Sequence, residues 1–256
     1  MTTPLASTHH LHDQAAGEVQ PRPATCANPR LTARLTGILF LLTILGGIFA
    51  QAFVSNRLIS FSDASLTANN ILANRALFEA GFTVYLIEMA CAVASVALFY
   101  RLVRVVNTDI ALAAAFLALT GNVIKTLSRV FFIAPLFVLT GTKALNAFNP
   151  DQLRALALLL LKINDRGAGL ALAFFGVSGV LNGYLLFRSG FFPRILGILA
   201  MIGSAGWLRF FIPSLRFPSF MFIVVFALFS AALQIFWLIV YGVDEVAWKK
   251  ASGDQR

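Results

Sequence analysis

Residues 219–241 read SFMFIVVFALFSAALQIFWLIVY, and no position in this stretch carries a charged side chain. An α-helix rises about 1.5 Å per residue, and the hydrocarbon core of a bilayer is roughly 30 Å thick. A helix of this length and composition is therefore long enough and apolar enough to cross a membrane. The stretch predicts a transmembrane helix and places the chain among membrane proteins.

Five further apolar runs precede this one. Charged residues make up 12% of the chain and hydrophobic residues 59%, and the mean hydropathy is +0.81. A soluble domain has about twice that share of charged residues, because polar side chains must cover its surface. We therefore predict an all-α polytopic membrane helix bundle with six transmembrane helices and short amphipathic outer helices. The predicted spans are Leu35–Val54, Leu77–Tyr100, Ile110–Leu139, Gly167–Phe187, Ile195–Ile212 and Ser219–Tyr241.

Polar segments flank the apolar region on both sides. Residues 1–29 show no apolar periodicity, and we predict that they form a disordered cytosolic tail. Residues 30–243 are predicted to form the membrane domain, and residues 244–256 a cytosolic C-terminal tail. The first apolar run is too long and starts too late for a cleavable signal peptide, so we expect it to be retained as the first span.

Residues that commonly bind metals are few and scattered. Cys26 lies in the N-terminal tail and Cys91 in the middle of span 2, so a disulfide between them is not expected. The tail also holds His9, His10 and His12, but no further ligands accompany them at a useful spacing. The sequence therefore predicts neither a metal site nor a cofactor.

Basic residues determine the predicted orientation. With a cytosolic N-terminus, the short inner loops carry Arg101 and Arg104, and then Arg188 and Arg194, as the positive-inside rule requires. Tyrosine favours the membrane interface, and three tyrosines lie near the inner ends of spans 2, 4 and 6. These are Tyr100, Tyr184 and Tyr241. We expect a multi-pass protein of the bacterial cell membrane with both termini in the cytosol.

The net charge of +9 bears on the partners of the protein. The basic residues are distributed between the spans rather than clustered on one face, which argues against nucleic-acid binding. Contacts with the bilayer, including its anionic lipids, are the expected role of these charges. A homo-oligomer or a membrane-protein partner remains open.

Two outer segments show helix-start signals. Ser62-Asp63 opens a stretch to Asn74 that is predicted to be a short helix. Asn149-Pro150-Asp151-Gln152 is a stronger signal, because asparagine caps helices and proline suits the first helical position. We expect residues 149–163 to form an outer-leaflet helix. Residues 164–169, NDRGAG, are predicted to break it before span 4 because they contain two closely spaced glycines.

One run of sequence is specific enough to suggest a family. Residues 183–199 read GYLLFRSGFFPRILGIL, and they occur with FFG at 174–176, RLTGIL at 34–39, ANNIL at 68–72 and leucine-rich residues 156–161. Together these segments resemble the bacterial DUF4386 family of multi-pass membrane proteins, over most of residues 30–243. The resemblance implies a six-helix membrane domain and implies no activity and no catalytic residues. Family members tend to carry histidine near the positions of Asn164 and Ser178, where this chain has none.

Ionisable and polar side chains inside the spans are the candidate functional residues. A charge in a bilayer costs several kcal/mol unless it is paired or hydrated, so each such group is a functional hypothesis. The primary candidates for a polar intramembrane site are Glu88, Asn122, Lys125 and Arg209. The secondary candidates are Glu79, Arg129, Asn164, Asp165, Arg166, Asn182 and Gln234.

Spans 2 and 3 are joined by a short loop centred near Val105, so we predict an antiparallel hairpin. Residues equally far from the loop then share a depth, which places Glu88 level with Asn122 and near Lys125. We expect Glu88 to pair with Lys125 or through Asn122, with Arg209 of span 5 as the alternative partner.

The same arithmetic places Glu79 near Arg129, closer to the outer side. We expect these two side chains to reach the outer interface along their apolar stems. Because Glu79 and Glu88 are nine positions apart on one helix, they should face different directions.

Two classes of function remain open. The intramembrane charges and the expected break before span 4 favour small-ligand binding or transport through a polar intramembrane site. The lack of any recognised motif favours a structural or regulatory membrane partner subunit that neither transports nor catalyses. An enzyme would need a nucleophile and base or a metal cluster, and no span contains histidine, so we do not expect an enzyme.

Overall fold

The computed structural model describes residues 28–141, 145–211 and 220–253. Helices account for nearly all of these residues. The predicted disordered tail falls mainly on residues 1–27, which lie outside the described residues, as do Ile212 and Ser219 at the ends of two predicted spans. In chain order the elements are α1 (Pro29–Phe49), a π-helical segment (Ala50–Ser55), α2 (Asn56–Leu58), α3 (Ala64–Ala73), α4 (Arg75–Val103), α5 (Thr108–Leu139), α6 (Pro150–Arg188), α7 (Arg194–Ala205), a 3-10 segment (Gly206–Phe211), α8 (Phe220–Val240) and α9 (Glu245–Ala251).

Six helical stretches in the described part of the chain are long and apolar enough to cross a membrane. They are Pro29–Leu58, Arg75–Val103, Thr108–Leu139, Pro150–Arg188, Arg194–Phe211 and Met221–Val240. Each contains or overlaps one predicted span, so the prediction of an all-α membrane bundle with six spans is confirmed.

Asparagine side chains begin several of the long helices. Asn28 and Asn107 accept hydrogen bonds from backbone amides three residues later, at the starts of α1 and α5. At the start of α6, Asn149 and Gln152 form a complete capping box. Such caps satisfy amides that the first helical turn would otherwise leave without a partner. The predicted helix start at Asn149 and the predicted short helix after Ser62-Asp63, which is α3 with Asp63 as its cap, are both confirmed.

The predicted break at residues 164–169 is wrong. Helix α6 runs without interruption for 39 residues, from Pro150 to Arg188, so the expected outer-leaflet helix and span 4 are one helix. The glycines serve close packing instead of a break. A Cβ added to Gly167 would lie 2.0 Å from Ser128 Oγ of α5, so glycine allows the two helices to approach closely.

Two apolar clusters occupy opposite ends of the bundle. At one end, which we call the terminal end, α1 begins, α8 ends and α9 lies, beside the loops after α4 and α6. The apolar cluster of this end includes Leu102, Phe191 and Leu238. At the opposite end, α3 packs on the first part of α6, and the cluster includes Ile71, Phe132 and Leu161. The middle of the bundle, between these clusters, is where the polar residues of the spans lie.

The segment predicted as a C-terminal tail contains helix α9, which packs on the terminal end of the bundle. Trp248 is 2% exposed, and its indole Nε1 donates a hydrogen bond to the Leu102 carbonyl at 3.0 Å. Arg30 of α1 lies 3.5 Å from the Glu245 carboxylate. Helix α9 therefore closes this end of the bundle.

The hairpin of α6 and α7 depends on contact between backbones. Gly190 has a φ of 70° in the connecting turn, a conformation that glycine adopts without steric cost. A Cβ added to Gly197 would lie 2.5 Å from Phe187 N and 2.6 Å from Gly183 O. Since both neighbours are backbone atoms, no side-chain rotation could relieve the clash.

We predict that Gly197→Ala destabilises the protein by about 1–3 kcal/mol or more, because the two helices must separate. Gly46→Ala is the matched control, since its Cβ would have no neighbour closer than 3.5 Å. Unfolding in mixed micelles with increasing dodecyl sulfate measures both variants. Equal stability of Gly197→Ala and the wild type would contradict the backbone contact.

Candidate functional site

An ion pair joins α4 and α5 in the middle of the bundle. Lys125 Nζ lies 2.5 Å from Glu88 Oε1, and the side chains are 18% and 3% exposed. The short connection between α4 and α5 places both residues at one depth, and the helix rotations turn them toward each other. The predicted pairing of Glu88 with Lys125 is confirmed, and the alternative pairing with Arg209 is wrong.

Helix α1 makes room for the carboxylate with two consecutive glycines. A Cβ added to Gly47 would lie 3.1 Å from Glu88 Oε1, and one added to Gly46 would lie 3.5 Å from Glu88 Cβ. The carboxylate therefore lies between the backbone of α1 and the amine of Lys125. Small residues at this crossing allow a charged side chain to fit between closely packed helices.

Two polar atoms of this cluster have unused hydrogen-bonding capacity. Glu88 Oε2 and Asn122 Oδ1 are buried, and neither accepts a hydrogen bond from the described residues. Asn122 lies one turn before Lys125 on α5, so both atoms belong to one small region. A buried acceptor without a donor costs roughly 1–3 kcal/mol.

A cavity of about 370 Å³ lies at the centre of the bundle, and all six spans contribute to its wall. Along α5 the cavity extends from Ala111, near the terminal end, to Asn122 and Lys125, near the middle of the helix. The wall is mainly apolar. Its polar side chains are Thr36, Thr43, Ser95, Tyr100, Asn122, Lys125, Ser178, Asn182, Ser204, Trp207, Ser230 and Gln234.

Two of the secondary candidates line this cavity. Asn182 Nδ2 donates to Ser178 Oγ at 3.3 Å, and Ser178 Oγ donates to the Ala114 carbonyl at 2.8 Å. This chain of hydrogen bonds ties α6 to α5. Gln234 of α8 lines the same cavity from another side. Four of the predicted polar residues therefore line the cavity: Lys125, Asn122, Asn182 and Gln234.

Arg129 is buried at a separate place. It is 5% exposed, its guanidinium lies 3.5 Å from the centroid of the Tyr85 ring, and its Nη1 donates to Asn164 Oδ1 at 3.0 Å. None of the ion pairs in the described part of the chain involves it. The expectation that Arg129 reaches the outer interface is therefore wrong. A ring face and an amide oxygen stabilise the cation within the bundle.

Apart from the buried Asn164, the remaining secondary candidates face outward. Glu79 is exposed and pairs with Arg75 at 2.8 Å, so it reaches the surface as expected but does not lie beside Arg129 as a partner. Asp165 and Arg166 are also exposed, whereas the preceding residue, Asn164, is buried against α5. These three consecutive positions lie on different sides of one continuous helix.

Arg209 does not join the Glu88–Lys125 pair. It lies in the 3-10 segment that follows α7, and its guanidinium is 5.6 Å from the centroid of the Phe210 ring. Trp207 of the same segment lines the cavity, whereas Arg209 is not among the lining residues. Because the 3-10 segment winds more tightly than an α-helix, its side chains point in other directions than a regular helix would give them.

Residues 35–242 match the family described as a domain of unknown function, DUF4386. The chain belongs to the DUF4386 family. An uncharacterised protein of Archaeoglobus fulgidus is 36% identical over 89 residues, which cover 32% of this chain and 54% of that protein. The chain therefore matches about half the length of this relative. No solved structure matches the chain.

For this DUF4386 protein, the comparisons bring no catalytic residue and no ligand. Among the described residues, no three His, Cys, Asp or Glu side chains are grouped as metal ligands would be. The site must therefore be interpreted from its own geometry, which consists of the ion pair, the free acceptors beside it and the cavity.

Sequence reasoning did not single out Tyr85, and it named Ser178 only as a position where family members tend to carry histidine. A signal for Tyr85 was present, because Phe78, Tyr85, Glu88, Ala92 and Ser95 follow the spacing of one helix face and are all buried. Glu79 does not fit this spacing, which indicates that its side chain points away from the buried face of α4. The contact between the Tyr85 ring and Arg129 depends on the rotation of α5, which no local pattern reveals.

We predict that the Glu88–Lys125 pair contributes a measurable coupling to stability. Glu88→Gln and Lys125→Met should each destabilise the protein, because each leaves a buried charge without its partner. The double variant should recover part of the loss, giving a coupling of about 0.5–3 kcal/mol. Unfolding in micelles measures the cycle. Additive losses would mean that the pair does not act as a unit.

Proposed function

We propose that this protein binds a small molecule in the cavity at the centre of its six spans, and that binding or transport of this molecule is its function. The observation that supports the proposal is a cavity of about 370 Å³ with Lys125 in its wall. Protein interiors are normally close-packed. Ligand pockets are typically mainly apolar clefts of roughly 300–1,000 Å³ with a few polar groups, which matches this cavity.

The wall indicates the chemistry of the ligand. Lys125 has three N–H donors, of which one is directed to Glu88, so it can donate to a carbonyl, carboxylate or hydroxyl oxygen. Asn122 also lines the cavity, although its Oδ1 is buried. Apolar side chains such as Phe40, Met89 and Phe175 surround the rest of the space. A mainly apolar molecule with one oxygen-bearing polar group fits this arrangement.

Binding and not catalysis is the activity that we propose. The described residues that line the cavity include serine and threonine hydroxyls and no histidine. Two of the buried serines of the wall, Ser95 and Ser178, donate their hydroxyl protons to backbone carbonyls rather than to a side-chain base. No pair of nucleophile and base is therefore evident in the wall.

We further propose the cell membrane of a bacterium as the location, with both termini in the cytosol. The support is the basic loop between α6 and α7 and the interfacial tyrosines at the same end of the bundle. Anionic lipid headgroups are the proposed partners of these arginines.

Cysteine labelling tests the orientation. Ser65 and Asp109 are both exposed and belong to opposite ends of the bundle. In a background without Cys26 and Cys91, an impermeant maleimide should label Ser65→Cys on intact cells and Asp109→Cys only after permeabilisation. Labelling of Asp109→Cys alone on intact cells would reverse the orientation.

We predict that octanoate and octanamide stabilise the purified protein in a saturable way, whereas octane does not, because only the first two present an oxygen to Lys125. At a hundredfold excess over Kd the stabilisation should be about 2.7 kcal/mol. Thermal unfolding in detergent measures it. Octanoate and octanamide are probes of the ligand class, because both contain the oxygen-bearing group that the site requires.

The matched variants are Ala118→Phe, which fills the cavity, and Ala113→Phe, which adds the same ring to the outward face of α5. Stabilisation should be lost in the first and kept in the second. If Ala118→Phe keeps the response, the cavity is not the binding site. If no probe stabilises the wild type, the alternative role as a structural or regulatory partner subunit is favoured instead.

A further inference from the structure

The central cavity is long in the direction of the helices. Along α5 its lining runs from Ala111 to Lys125, which is about 20 Å at 1.5 Å per residue. A volume of about 370 Å³ that extends over this length is elongated rather than round. The two ends of the cavity can therefore contact different parts of one ligand.

Polar side chains line the cavity at two depths. Lys125 lies about 25 Å from the start of α5, whereas Asn182 and Gln234 lie about 9 Å from the ends of α6 and α8, at 1.5 Å per residue. These three helix ends all belong to the terminal end of the bundle. Lys125 is therefore about 15 Å deeper than the two amides. We call the shallower part of the cavity, at Asn182 and Gln234, its amide end.

Helix α8 turns one face toward the cavity. Ala227, Ser230, Ala231 and Gln234 all line it, and their spacing is that of a single helix face. Within the described part of the chain, no hydrogen bond involves the Gln234 amide. Its oxygen and nitrogen are not among the buried atoms that lack a partner, so both retain accessible surface. The Gln234 amide is thus available to a molecule in the cavity.

A glutamine amide inside a membrane span ordinarily needs a partner. In spans, such side chains commonly form hydrogen bonds to a neighbouring helix, because hydrocarbon offers none. Gln234 forms no such bond with the described residues, so holding α8 in place does not explain it. An amide can both donate and accept, and a hydroxyl or amide group of a ligand does the same.

Asn182 adds an acceptor at the amide end. Its Nδ2 donates to Ser178 Oγ at 3.3 Å, and its Oδ1 accepts no hydrogen bond from the described residues and is not buried. The wall between the amide end and Lys125 carries apolar side chains such as Phe40, Met89 and Phe175. Lys125 is the charged residue among the described lining residues, so the chemistry of the amide end is neutral.

We propose that the ligand of the cavity is an elongated molecule with two polar ends, a carboxylate or carbonyl group at Lys125 and a neutral hydroxyl or amide group at Gln234, about 15 Å away. This assignment rests on the function proposed for the cavity, because Lys125 is one of its two contacts. An extended chain advances about 1.2 Å per bond, so roughly twelve bonds separate the two groups. An ω-hydroxy acid of about twelve carbons has this length and chemistry.

Acids with and without a terminal hydroxyl test the second contact. Gln234→Met replaces the amide by an apolar side chain of similar length. It should weaken binding of 12-hydroxydodecanoate about tenfold, because the hydroxyl would then be buried without a partner. Binding of dodecanoate should not weaken, and octanoate and 8-hydroxyoctanoate, which are too short to reach Gln234 from Lys125, should bind unchanged.

The saturable rise in thermal stability with ligand concentration gives each Kd. Because one ligand is compared between two variants in the same detergent, its partitioning into micelles cancels. Phe236→Met is the matched control, since it places the same side chain on the outward face of α8, where Phe236 is 55% exposed. It should leave all four affinities unchanged.

The outcomes for the two acids of twelve carbons decide the proposal. Equal weakening of dodecanoate and 12-hydroxydodecanoate in Gln234→Met, or no weakening of the hydroxy acid, would overturn it. Loss of octanoate binding in Gln234→Met would overturn it as well, because Gln234 would then support the whole cavity rather than one end.

Octanoate separates this proposal from the function proposed for the cavity. If octanoate stabilises the wild type and Gln234→Met fails to discriminate between the two longer acids, the cavity binds ligands through Lys125 alone, and only the second contact is refuted. If neither octanoate nor dodecanoate stabilises the wild type, the function proposed for the cavity fails, and the second contact fails with it.

Discussion

The ion pair between Glu88 and Lys125 is the constraint on which the middle of the bundle depends. A single charge at this depth costs several kcal/mol, so the two side chains must meet. Their contact fixes the rotations of α4 and α5 about their own axes. With those rotations fixed, Asn122 lines the cavity, Arg129 lies one turn farther on beside the Tyr85 ring, and Glu79 points outward. One interaction thus determines where most of the polar groups of two helices lie.

Glycine is the second requirement, because a charged pair must fit where helices cross. Gly46 and Gly47 let α1 pass the Glu88 carboxylate at van der Waals distance. Gly167 does the same for α6 at Ser128, close to the place where Asn164 binds Arg129. Each polar contact therefore lies next to a position without a side chain. Small residues at helix crossings are a general device in membranes, and here they accommodate polar side chains as well as backbone.

Sequence could predict the features that depend on local patterns of residues. Apolar length gave the six spans, the Asn149 capping box gave the start of α6, and the depths within one hairpin gave the partner of Glu88. The errors arose where a residue has two physical uses. The glycines at 167 and 169 suit a break or a close approach, and neighbours from other segments, Ser128 for Gly167 and Phe210 for Gly169, decide between the two. The stacking of Arg129 on Tyr85 and the insertion of Trp248 depend on contacts between distant segments, so no local signal predicts them.

The two buried cations of α5 show why the candidate site lies at Lys125. The flat guanidinium of Arg129 is stacked on Tyr85 within an apolar cluster, an arrangement suited to holding helices together. Lys125 differs in both respects. Its partner is a carboxylate, and it borders open space. Lys125 keeps N–H donors beyond the one directed to Glu88, so it can bind a ligand in the cavity without losing its ion pair. For this reason we propose that Lys125 carries the binding chemistry and that Arg129 holds the helices together.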